Sequence, residues 1–359
     1  MRRARWLAPW KDSVERPAMY HCVSRVVDRR FVFGDEEREK FRVFMRMQEN
    51  FSGCRVLSYC IMSNHFHILL EVPPMSVGGI ADEELLRRLR AIYSEAAVAE
   101  VAMELAEARR MVADGLADES LVERIHARYT YRMHDLSEFM KTLLQRFTRW
   151  FNRTHQRRGT LWEERYKSVI VESGIAARTM AGYIDLNPVR AGMVKDPADY
   201  RWSSYGEAVG GGARGSGKKA RAGLVRACMS HEGAGFEAGK WKEVSRIYRR
   251  VLGMALGSRS GRAEVGRVPL VTLNTEEMLA SGDNETVLPD LRFAGMLRQR
   301  VRYFTDGAVI GSKGFVNEAF AASRERFTRR RLDGARRMRG SGRPAAGVLW
   351  SMRDLRVRV

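Results

Sequence analysis

The alternation of apolar and polar positions divides the chain near residue 205. Ahead of that point, short apolar runs alternate with charged, helically periodic stretches. Ser63 to Val72 is apolar, rich in residues that suit a sheet and closed by Pro73 and Pro74, so it predicts one buried strand stopped by prolines. Met19 to Val27 predicts an earlier strand, ended by Asp28, Arg29 and Arg30. From Asp35 to Phe51 the residues Phe41, Phe44, Met45 and Met47 recur at helical spacing among charges, with Gly53 beyond the helix end. Arg55 to Met62 is a further strand, and the short Ser63-Asn64 turn leads it into the first-mentioned one. This β-α-β-β order is the first half of a ferredoxin-like sandwich of the α+β class, with an antiparallel sheet.

Next comes a charged, alanine-rich region from Asp82 to about Arg132, with Leu85, Leu86, Leu89 and Ile92 in helical register. It predicts two helices inserted into the sandwich over about 80–132. Asp135 opens a helix running through Asn152, with Phe139, Leu143, Leu144, Phe147 and Phe151 on its apolar side. A basic turn from His155 to Gly159 leads to a strand over Trp162 to Val171, and Ile175 to Leu186 predicts the next helix. This alternation of strands and helices ends near residue 205. Residues 206–223, glycine-rich and basic, predict a flexible linker. Beyond it, Trp241 to Leu256, Asp290 to Phe304 and Gly314 to Leu332 read as helices and Ser258 to Arg267 as loop. These make 224–359 a mostly helical C-terminal domain, and its many Lys and Arg residues predict that it grips duplex or hairpin DNA.

Charge sharpens this division. The 359 residues carry a net charge of +20, of which +15 lies from Gly206 onward. A polyanionic partner is the simplest reason, and nucleic acid is the commonest one; a solubilising basic tail is the alternative. Cys22, Cys54, Cys60 and Cys228 form no Cys-x-x-Cys pair and no secreted disulfide framework, which favours a reducing compartment. The basic start runs into Pro9, Trp10 and Lys11 before any apolar core of signal length, and no stretch approaches a membrane span. The expectation is a soluble cytoplasmic protein with no membrane partner.

Candidate chemistry gathers at two places. Side chains alternate along a strand, so His65 and His67 share one face while Phe66 and Ile68 take the other. Two neutral imidazoles on a rigid backbone are potential metal ligands, although a buried histidine with an ordinary hydrogen-bond partner is the plainer reading. In the late helix, Tyr183 and Asn187 stand four residues apart on one side, with Pro188 enforcing the helix end. A phenol and an amide oxygen placed together could serve as nucleophile and third ligand, or the tyrosine could simply pack. No run of carboxylates surrounds the histidines, which argues against two-metal hydrolysis.

The order of several blocks adds to this. Tyr20 to Arg25, Met62 to His67, Gly159 to Ser168, Tyr183 to Gly192 and Trp202 to Tyr205 together resemble the single-tyrosine HUH transposases of the IS200/IS605 type, and more closely the REP-associated tyrosine transposases, over about 14–205. The resemblance implies an enzyme with a ferredoxin-like domain that cleaves and rejoins single-stranded DNA near hairpins through a covalent phosphotyrosine. It implies Tyr183 as nucleophile, His65, His67 and Asn187 as ligands of a divalent ion, Mg²⁺ or Mn²⁺, and a chain acting as monomer or homodimer. The helix Phe139 to Asn152 is another seat for a nucleophile, but Phe147 has no hydroxyl there. Arg25, Arg165, Lys167 and Arg190 flank the blocks and could hold phosphates, or be ordinary surface charge; Trp162 and Trp202 could stack unpaired bases or fill the core. A domesticated, non-catalytic regulator that binds hairpin DNA is the alternative, and a metal-dependent ribonuclease a third. Keeping His65, His67, Tyr183 and Asn187 together favours the enzyme.

Overall fold

A computed structural model describes residues 5–210, 216–229, 236, 238–256, 297, 303–338 and 349–353. Its centre is β1 (Ala18–Arg25), whose length is buried but for its end, and which pairs antiparallel with β3 (His65–Val72) on one side and β4 (Lys167–Val171) on the other. Strand β2 (Arg55–Ile61) completes the order β2-β3-β1-β4 expected of the ferredoxin-like sandwich. Helices α1 (Asp35–Ser52) and α5 (Leu136–Thr154) pack on each other. They cover the sheet face that carries Phe66, whose ring lies 4.7 Å from that of Phe41 on α1. Asp135 caps α5 by accepting from the Glu138 amide at 2.7 Å, as the Asp-x-x-Glu spacing requires. The mixed α+β class expected from the sequence is what the chain forms.

The insertion contains three helices where two were expected: α2 (Asp82–Leu89), α3 (Glu95–Ala113) and α4 (Ser120–Thr130). Ser94 starts α3 by accepting from the Ala97 amide, and Gly115, at φ 69°, turns the chain after it. Leu85, Leu89, Val98, Val101, Leu105, Val122 and Ile125 form a small core of their own with Phe51. The fourth strand starts at Lys167 rather than Trp162. Trp162 makes only an isolated bridge to Val26 and sends its ring into the aromatic layer, 5.5 Å from Phe66 and 6.0 Å from Phe147.

The histidine-bearing face is closed by α6 (Ile175–Asp185), and after α7 (Asn187–Arg190) and α8 (Ser204–Gly210) by α9 (Ser216–Cys228), with α10 (Trp241–Leu256) packed on α6 and α9. Here the structure departs from the expected flexible linker: 216–223 is helical and packed. A Cβ at Gly223 would lie 2.4 Å from the Val56 carbonyl oxygen, so glycine lets α9 rest directly on β2. Arg226 of the same helix reaches the fully buried Glu71 of β3 at 2.8 Å. Glycine, alanine and lysine read as a linker because the contact that orders them is tertiary.

The far C-terminal part, expected to be mostly helical, also contributes strands. After α11 (Tyr303–Asp306), β5 (Gly307–Gly311) joins β4 in parallel, and β7 (Trp350–Arg353) with β6 (Arg336–Arg337) extends the same sheet to seven strands. The expected helix from Gly314 to Leu332 is α12 (Lys313–Ala321), followed by a 3-10 turn over Arg324–Arg326. The loop at 258–267 and most of the helix expected at 290–304 lie outside the described residues. Among the described residues, no helix is long and apolar enough to cross a membrane.

Candidate active site

Register fixes the face. Arg25 stands opposite His65, Val23 opposite His67, and His21 opposite Leu69, so Arg25, Val23 and His21 of β1 lie on the same side as His65 and His67 of β3. Val23 also stands opposite Lys167, which places that lysine on this side of β4. His65 and His67 have ring centroids 5.1 Å apart at an interplanar angle of 81°. Strand alternation therefore does bring the two imidazoles together.

Each ring is held from behind. Asn64 donates from its amide nitrogen to the Arg29 carbonyl at 2.8 Å, so its amide oxygen faces His65 and accepts from Nδ1 at 2.7 Å. The His65 Nε2 is then the unprotonated nitrogen. His67 Nδ1 lies 3.0 Å from Nε2 of His21, whose Nδ1 lies 2.7 Å from the carbonyl oxygen of Phe304. Burial lowers the pKa of His21 to about 4, with the Phe304 carbonyl opposing. Burial, reinforced by the charge of Arg25, lowers His65 to about 4 as well. His67 is pushed well below the usual imidazole range, first by burial and then by His65, His21, Arg25 and Arg190. At neutral pH all three are neutral, the form in which imidazole offers a lone pair.

The opposite wall comes from α6. The Tyr183 ring stands edge-on to His67, centroids 5.8 Å apart at 88°, and to His21 at 6.1 Å and 78°. It stacks on Phe304 at 4.5 Å, while the Arg190 guanidinium lies 5.0 Å from its centroid. Asn187 donates its amide nitrogen to the carbonyls of Tyr183 and Ile184 at 3.1 and 3.2 Å, and Arg190 donates to the Tyr183 carbonyl at 2.9 Å. Those carbonyls end α6, where Pro188 cannot supply a donor. With its nitrogen so engaged, the oxygen of Asn187 is the atom left for a ligand.

The remaining candidates separate clearly. Arg25 and Lys167 are exposed at the rim of the histidine face, and Arg165 is exposed on the bend before β4. Phe147 is fully buried on the other face, against Phe33 and Phe41. Trp162 donates to the Thr148 hydroxyl at 2.9 Å within that aromatic layer, so it fills the core. Trp202 is buried between the guanidiniums of Arg38 and Arg201, at 4.7 and 5.1 Å. Sequence alone gives His21 no role, although a histidine at the centre of an apolar strand is a usable signal. Phe304 escapes notice because nothing near it in sequence points to chemistry.

Among the described residues, no three His, Cys, Asp or Glu side chains gather as a metal site. A divalent ion here would depend on two imidazole nitrogens and an amide oxygen: Asn64 takes Nδ1 of His65 and leaves its Nε2, and main-chain carbonyls take the nitrogen of Asn187 and leave its oxygen.

Known proteins are informative over part of this chain. Residues 16–95 match the family Transposase IS200 like. The resemblance read from the motif blocks is thereby borne out for the IS200-like stretch, which holds His21, His65 and His67; Tyr183, Asn187 and Arg190 lie beyond it. A solved structure described as the REP-associated tyrosine transposase bound to a REP hairpin is 12% identical, with a TM-score of 0.36, covering 60% of this chain and 88% of that one. No curated protein matches the chain.

Proposed function

We propose that the protein is a transposase-type nuclease and strand transferase, which cleaves and rejoins single-stranded DNA near hairpins through a phosphotyrosine at Tyr183. The observation that carries the reading is the Tyr183 ring set edge-on against His67, 5.8 Å between centroids, from a helix far along the chain. In this reading His65, His67 and Asn187 hold a divalent ion, Mg²⁺ or Mn²⁺. Such an ion, when bound, polarises the scissile phosphate and spreads its developing charge.

The rest is the work of the side chains. The Tyr183 oxygen attacks phosphorus, the bond to the leaving 3′ oxygen breaks, and the phosphoester keeps the strand end ready for rejoining. A phenol is ordinarily protonated at neutral pH. The Arg190 guanidinium lies 5.0 Å from the Tyr183 ring centroid; in the step the phenol gives its proton to solvent and the leaving 3′ oxygen takes one up. Arg25 and Lys167, exposed at the rim, are placed to hold flanking phosphates. The net charge of +20 suits the polyanion.

The test is incubation of the full chain with labelled hairpin oligonucleotides from the DNA flanking its gene, with Mn²⁺ or Mg²⁺, followed by denaturing electrophoresis. An SDS-resistant adduct is expected, lost in Tyr183→Phe while binding survives, and lost or shifted to much higher metal in His65→Ala. Hairpin binding with no adduct under any metal would make the chain a DNA-binding regulator instead.

A further inference from the structure

His21 is buried, polar and unused by the chemistry above, yet it touches both halves of the site. One nitrogen faces a main-chain carbonyl, that of Phe304, which can only accept. His21 must therefore carry its proton on Nδ1, and a neutral ring then has a lone pair on Nε2. The partner 3.0 Å from that lone pair is the Nδ1 of His67, which must in turn be the donor. Protonation of His67 on Nδ1 leaves its Nε2 bare.

The same logic runs on the neighbouring ring through another carbonyl, that of Arg29, with Asn64 in the place of His21. Two rings of the site are thus set in the same tautomer by two unrelated relays. The relay through His21 ends on a residue beyond the IS200-like stretch. Phe304 precedes β5, and its ring stacks on Tyr183 at 4.5 Å while its carbonyl anchors His21.

Resting on the functional reading above, we propose that His21 is a positioning residue that, braced on the Phe304 carbonyl, holds His67 protonated on Nδ1 so that Nε2 can bind the divalent ion. The C-terminal segment around Phe304 then belongs to the site, fixing one ligand through its backbone and the nucleophile through its ring. A hydrogen-bonded partner behind a ligating histidine fixes ring orientation and raises ligand basicity, and its loss lowers metal affinity about 10- to 100-fold.

Two measurements on the full chain test this. Long-range ¹H–¹⁵N spectra of the metal-free protein report the tautomer of each histidine, and the account predicts His67 protonated on Nδ1 with an unprotonated Nε2. Mn²⁺ titration should show affinity lowered about 10- to 100-fold in His21→Leu and largely restored in His21→Gln, whose amide offers one donor and one acceptor. His67 protonated on Nε2 in the wild-type chain would overturn the proposal, whether or not His21→Leu folds. Undiminished Mn²⁺ affinity in a folded His21→Leu would overturn the part given to His21 alone. No Mn²⁺ uptake by the wild-type chain would overturn the functional reading on which it rests.

Discussion

The two faces of the central sheet are made from alternate residues of the same strands and obey different rules. On one, Phe66 meets Phe41 and Trp162 at 4.7 and 5.5 Å, and Phe147 joins the same layer 5.1 Å from Phe41 and 6.0 Å from Trp162, covered by α1 and α5. Shape and apolar area account for it. On the other, His21 is held on a carbonyl oxygen, His65 on an amide oxygen and His67 on the ring nitrogen of His21, with Tyr183 leaning against them. The contrast teaches that a face reserved for chemistry is specified by hydrogen-bond direction, where its neighbour needs only volume. It also shows where the late part of the chain is spent, since α6, α9 and Phe304 all serve the histidine face.

The sharpest way to break the contrast is to empty the aromatic face. Phe41→Ala removes a fully buried ring and should destabilise the fold by about 3–5 kcal/mol in urea unfolding. Mn²⁺ affinity of the molecules that remain folded should stay as it was. Coupled loss of both would mean that the faces are not independent.

A smaller effect should come from pH, at a buried carboxyl on the histidine side. Asp185 of α6 is fully buried, accepts from the Tyr248 hydroxyl at 2.6 Å and the Tyr205 amide at 3.0 Å, and is raised by burial to about 7. Its pKa is higher folded than unfolded, so the folded state binds the extra proton between about 4 and 7. Its contribution to stability is therefore fully present at low pH and is lost as pH rises through that window, on the order of a few kcal/mol. Asp185→Asn should remove this slope, so that the wild-type minus variant difference in unfolding free energy falls as pH rises from about 4 to 7. A difference independent of pH would show that Asp185 titrates normally.

The mildest changes lie at the rim. Arg25→Ala and Lys167→Ala should each weaken single-strand binding similarly for all sequences and reduce the salt-dependence slope by about 1. Fluorescence anisotropy across a salt series reads this; an unchanged slope would return both residues to ordinary surface charge.

Legibility in the sequence follows the range of the forces involved. Period-two alternation around His65 and His67 and the Tyr183–Asn187 spacing are local, and residue order alone is enough to single out these four side chains of the candidate site. The β-α-β-β opening is readable for the same reason. The Ser216–Cys228 helix is not, because its order comes from Gly223 against the β2 backbone and Arg226 on Glu71, contacts made across more than a hundred residues of chain. His21 is visible as a letter inside a motif block, but its partner Phe304 reaches it through tertiary contacts, as β5 adds in parallel to β4. The third helix of the insertion depends on where Gly115 can turn the chain, a matter of one backbone angle.

The most direct measurement of the central claim is the identity of the residue joined to DNA. After reaction of the wild-type chain with a hairpin substrate and Mn²⁺, nuclease trimming and tryptic digestion, mass spectrometry should find the nucleotide mass on the peptide from Thr179 to Arg190, localised to Tyr183. A nucleotide on a peptide bearing any other tyrosine, or cleavage with no linked peptide at all, would contradict the account.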